Sequence, residues 1–198
     1  MNEPSFLRMA GWSALINGVS SLAIALTLIL LFTAGGFWGQ VNDTISVVWV
    51  LTFLPLVWVF HHMHRPFAAS VSLAAAVAAA AAVLLFASLQ SLLVQGTVTF
   101  EQTIGAVVAL GAVIGLWLMV NGLISLVALS LPSPLAWLTV AFGAGYVLSA
   151  IGFALGGQQH PLSAIGYLVG TVAGIVWAFW LGRLLLNRDP LLRLGGAT

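Results

Sequence analysis

Three of the chain's four histidines fall within four residues, in His61-His62-Met63-His64-Arg65. On a helix His61 and His64 stand three positions apart on one face, a spacing that places two imidazoles around one transition metal. A haem iron held by one of them and a ligand from elsewhere is the related chemistry. The plainer expectation is the polar end of a membrane helix, with Arg65 snorkelling to anionic headgroups. It leads, because no further His or acid is expected on that face. No cofactor is therefore predicted, and haem or a metal at His61 and His64 comes second.

A second group is the polar strip Asn17, Ser20, Ser21, Trp117, Asn121 and Ser125. Trp117 and Asn121 are four apart and share a helix face. With Asn17, Ser21 and Ser125 they suggest a small ligand-binding pocket with an aromatic wall and an amide. The alternative is structural: Asn and Ser join membrane helices by hydrogen bonds worth about 0.6–2 kcal/mol each. Asn17 and Asn121 fall at similar depths, so the two amides could hydrogen-bond to each other.

Composition limits the other chemistries. The 198 residues are 62% hydrophobic and 5% charged, and the mean hydropathy is +1.16. A water-facing surface needs about 25–35% charged residues, so a soluble enzyme is excluded. There is no Cys and no Lys, which removes disulfides, thiolate metal sites, Schiff bases and a phosphate-holding P-loop lysine. No nucleic-acid partner is expected.

The elements that carry these residues follow from the need for about 20 apolar residues per crossing. Six stretches qualify, at 6–32, 44–63, 67–94, 103–130, 135–155 and 162–186. They predict an all-α polytopic membrane protein, a single six-helix domain over 1–198 packed as a compact bundle. Asn42-Asp43-Thr44 is read as the cap of the second span, and Thr99 to Gln102 as a capping box before the fourth. Pro66, Pro134 and Pro161 open the third, fifth and sixth spans, where the missing N–H costs nothing. Pro55 is expected to kink the second. A cleaved signal peptide fits poorly, since its basic region is the single Arg8 and its apolar stretch is too long.

Arg8, Arg65, Arg183, Arg188 and Arg193 fall on one side of this topology, which by the positive-inside rule puts both termini in the cytoplasm. The acids Asp43 and Glu101 lie on the other side. Tryptophans are expected at the interfaces: Trp12, Trp137, Trp177 and Trp180 at the inner one, Trp38 and Trp49, with Tyr167, at the outer. No acid is placed inside the membrane, which argues against a proton pump or an ion channel with a charged filter.

Close helix approach in lipid needs small residues. Gly166, Gly170, Gly174, Ala178 and Gly182 recur every four residues on the sixth span. Such a ridge packs within one bundle or forms a homodimer or partner interface. Residues 16–22, Ile-Asn-Gly-Val-Ser-Ser-Leu, also align with 120–126, Val-Asn-Gly-Leu-Ile-Ser-Leu. Three spans separate them, the arrangement of a 3+3 inverted repeat.

The stretch Asn121-Gly-Leu-Ile-Ser-Leu, the run Leu131-Pro-Ser-Pro-Leu-Ala-Trp137, the Gly-rich fifth span and Trp177-Ala-Phe-Trp-Leu-Gly-Arg183 together resemble a family of uncharacterised bacterial membrane proteins, a domain of unknown function with about six spans. The resemblance covers about a third of the chain and implies a bacterial inner-membrane location, with no catalytic residues to carry over. The expected function is that of a non-enzymatic accessory or interaction subunit. A carrier or binder of a neutral or lipophilic small molecule is the alternative, and a haem or metal protein the third.

Overall fold

Proline decides where the longest apolar run bends. A computed structural model describes residues 3–187, and within it the run Phe37–Val94 is helical for 58 residues. At about 1.5 Å per residue a straight helix of that length would reach roughly 87 Å. It does not stay straight. Pro55 has no N–H and crowds the carbonyl four residues before it, and α2 (Phe37–Leu51) ends at that carbonyl, with α3 (Phe53–Val94) starting after Thr52. Pro66 repeats the effect more sharply, since α3 breaks two residues later at Ala68, where φ is −151° and ψ 59°. Beyond Ala68 the chain reverses: His61 Nδ1 lies 3.0 Å from Ser72 Oγ, and the rings of Trp49 and Phe86 have centroids 6.0 Å apart.

The other elements are α1 (Glu3–Ala34), α4 (Phe100–Ala128), α5 (Ser133–Gly156), a 3-10 turn at Gly157–Gln159, and α6 (Pro161–Leu186). The described residues are almost entirely helical, and five helical stretches are long and apolar enough to cross a membrane. The capping box at Thr99 and Gln102 forms as expected. Pro134 and Pro161 open α5 and α6, and the His160 ring adds a cap by accepting from the Leu162 N–H at 3.3 Å.

The second-span cap does not form. Asn42, Asp43 and Thr44 lie inside α2, which begins five residues earlier at Phe37. Asn42 instead donates across to α1, to the Ile24 carbonyl and to Thr27 Oγ1 at 2.8 Å. The helix continues outward through these polar residues to Phe37, so helix formation outruns the capping signal.

The connections place Arg8, Arg65 and Arg183 at one end of the bundle, where the start of α1 packs on the end of α6 and the α3 bend meets the α4–α5 link. Arg188 and Arg193 lie outside the described residues. The opposite end carries the α1–α2, α3–α4 and α5–α6 links. Between the two ends an aromatic core forms around Phe53, whose ring lies 5.2–6.4 Å from those of Trp49, Trp117, Phe142 and Trp177. Two tryptophans expected at interfaces are thus core residues, Trp49 and Trp177 being 5% and 0% exposed. Each buried indole N–H has a partner, Ser21 Oγ for Trp49 and Thr139 Oγ1 for Trp177, both at 2.9 Å. Trp12 and Trp137 stay exposed.

Glycine and alanine bring the last helices together. A Cβ on Gly166 would lie 2.3 Å from the Ser149 backbone nitrogen, and one on Gly145 equally close to that of Gly170. Farther along α6, Gly174 faces the Phe142 ring, Ala178 faces Gly18, and Gly182 faces Leu15 and the Gly11 carbonyl. The five small residues of the ridge therefore contact α5 and α1 inside the bundle.

Candidate functional site

The polar residues singled out from sequence separate into two buried clusters and a cavity wall. Asn17 is fully buried and donates through Nδ2 to the Trp49 carbonyl at 3.1 Å and to Thr52 Oγ1 at 2.8 Å. Those acceptors sit at the junction of α2 and α3, so the amide ties α1 to that break. Ser21 donates to the Asn17 carbonyl and accepts from Trp49.

Asn121 turns elsewhere. Its Nδ2 donates to the Trp117 carbonyl at 2.7 Å, which leaves Oδ1 to accept from His64 Nδ1 at 2.8 Å. His64 Nε2 is then the acceptor for the hydroxyls of Ser125 and Ser130, at 3.0 and 3.1 Å. The two amides do not meet, because each bonds a different part of the long α2–α3 run, Asn17 at its first break and Asn121 at His64 near its bend. Trp117 packs edge-on against Phe53 and Phe60.

The histidines also separate. His64 is 0% exposed and both ring nitrogens are engaged, whereas His61 faces Ser72 across the Ala68 reversal. The lone pair that a metal or haem iron would need on His64 is occupied by two hydroxyls. Among the described residues no group of three or more His, Cys, Asp or Glu side chains gathers as a metal site.

A cavity of about 500 Å³ lies between α1, α2, α3, α4, α5 and α6. Phe32, Asp43, Phe100 and Gln158 place its mouth at the end opposite the arginines, and Trp49, Phe142, Gly111 and Gly174 line its depth. Eight aromatic side chains contribute to its walls. From the strip, Ser21 lines it, while Asn17, Trp117, Asn121 and Ser125 lie in the packed bundle.

Gln90 is the wall residue that sequence reading missed. It is 8% exposed, and its buried Oε1 has no hydrogen-bond partner. An unpaired buried amide oxygen costs about 1–3 kcal/mol. A lone Gln in a run of Ala, Leu, Val and Phe was the available signal, since a polar side chain at such depth is expensive. Asp43 is the second, a residue read as a cap that instead lines the cavity.

Comparison of the chain with protein-family models, with curated proteins and with solved structures finds no match.

Proposed function

We propose that the protein is a six-span bacterial inner-membrane protein that binds or carries a lipophilic small molecule in the cavity open at the end opposite its arginines. The observation that carries this reading is the cavity itself, at about 500 Å³. Ligand sites run from about 300 to 1,000 Å³, with mostly apolar and aromatic walls and a few polar groups. Gln90 supplies such a group, and an unpaired amide oxygen is a cost that a bound molecule removes.

The six crossings rest on the reversal at Ala68, which turns Phe37–Val94 into two antiparallel stretches. Arg8, Arg65 and Arg183 at one end favour a cytoplasmic location for that end and for both termini. The Asn-Gly pairs, which a 3+3 inverted repeat would relate, pack on different partners: Gly18 lies against Ala178 on α6 and Gly122 against Ala136 and Val140 on α5. Binding without catalysis is favoured by the wall chemistry. The Ser21, Ser46 and Ser163 hydroxyls donate to backbone carbonyls, and no imidazole lines the cavity among the described residues.

Filling the cavity tests the reading. A Cβ on Gly111 would meet only Tyr146 Cδ1 at 3.5 Å, ordinary contact, so Gly111→Leu occupies space without separating helices. Anthracen-9-ylmethanol, a neutral fluorescent alcohol, should bind the wild type in phosphatidylcholine nanodiscs and bind Gly111→Leu at least tenfold more weakly, with unfolding temperature little changed. Equal affinity for both proteins would refute the cavity as the binding site.

A further inference from the structure

We infer that the cavity takes a lipophilic amine in its protonated form, with the ammonium against Asp43 and Gln90 and the apolar body against the aromatic floor. The inference rests on the binding reading above and names the chemistry of the ligand's head.

The wall's hydrogen-bond inventory gives the reason. Ser21, Ser46 and Ser163 direct their hydroxyl hydrogens to the carbonyls of Asn17, Asn42 and Gly157. The Asn42 amide hydrogens go to the Ile24 carbonyl and Thr27 Oγ1. These groups spend their donors on the protein and leave acceptor lone pairs. Gln90 Oε1 adds a buried acceptor without a partner, and Asp43 adds a carboxylate, which when ionised only accepts. The phenols of Tyr146 and Tyr167, also on the wall, can turn to donate or accept. The Gln90 amide oxygen and the Asp43 carboxylate suit a guest that brings donors, and an ammonium offers donors with no acceptor.

Charge points the same way. Asp43 is the one charged side chain on the cavity wall among the described residues. A carboxylate beside an apolar cavity favours a cation, and the rings of Trp49, Phe86 and Tyr146 present faces or edges that suit an aromatic amine.

The two acceptors lie close in depth. Trp49 and Phe86 meet across the antiparallel pair, so four residues outward on each helix reaches 45 and 90. Gln90 is then level with Ile45, and Asp43 lies two residues, roughly 3 Å, nearer the mouth. A head lodged between them leaves the ligand's body in the aromatic depth.

The test pairs anthracen-9-ylmethanamine, charged at neutral pH, with anthracen-9-ylmethanol, neutral and of nearly the same shape. Binding is read by fluorescence in nanodiscs of zwitterionic phosphatidylcholine. The amine should bind the wild type at least tenfold more tightly than the alcohol. Asp43→Asn should cut amine affinity at least tenfold and leave the alcohol within about twofold, and Gln90→Leu should weaken the amine about threefold or more. If both probes bind alike and Asp43→Asn changes neither, the head-group inference is overturned while the cavity reading stands. A preference for the amine that survives both substitutions overturns it as well. If neither probe binds the wild type, the cavity reading falls and this inference with it.

Discussion

His64 shows how one side chain can be structural where its type suggests chemistry. Its ring joins α3 to Asn121 and Ser125 on α4 and to Ser130 in the following link, at 2.8–3.1 Å. Replacing it strands an amide oxygen and two hydroxyls in a dry interior, where each unpaired group costs about 1–3 kcal/mol. His64→Leu should therefore destabilise the protein by about 2–4 kcal/mol, read as a lower thermal midpoint in detergent. His61→Leu should cost far less, since its Ser72 contact is only part-buried. An unchanged midpoint for His64→Leu would show that the cluster does not hold the α3 bend. Asn17 plays the matching part at the α2–α3 break, and neither role was legible in the sequence, because the partners come from helices far apart along the chain.

At the scale of elements, small residues set how closely α5 and α6 approach. A Cβ at Gly166 would collide with backbone, the Ser149 nitrogen at 2.3 Å, whereas one at Gly174 meets the Phe142 ring at 2.6 Å. Backbone cannot step aside, but a ring can shift. Gly166→Leu should thus lower the thermal midpoint more than Gly174→Leu, and both more than Gly111→Leu. If the three variants unfold together, close α5–α6 packing is not what limits stability. The ridge was legible as a repeat of small residues every four positions. What it packs against was not, since the same stripe serves an internal contact or a dimer equally well. Helix ends were legible where proline or a capping box sits at the end itself, at Thr99, Pro134 and Pro161. At Asn42-Asp43 the signal misled, because polar residues with partners on a neighbouring helix can remain inside a helix.

For the whole molecule, the proposal of six crossings rests on the reversal at Ala68. The chain has no cysteine, so single cysteines report topology cleanly. A membrane-impermeant maleimide should label Thr97→Cys and Gln159→Cys from one face of sealed vesicles and His62→Cys from the other only. Labelling of His62→Cys and Thr97→Cys from the same face would overturn the six-crossing arrangement. The sequence by itself determined the helical class, the lipid environment and the gathering of arginines at one end, because hydropathy and charge are properties of each residue along the line. It also carried the prolines that bend the long apolar run. Only the tertiary structure decided which polar residues are neighbours: Asn17 meets the α2–α3 break, Asn121 meets His64, and Gln90 is left facing a cavity with Asp43. Hydrogen-bond partners and empty volume are relations between helices distant along the chain, and one-dimensional spacing holds no record of them.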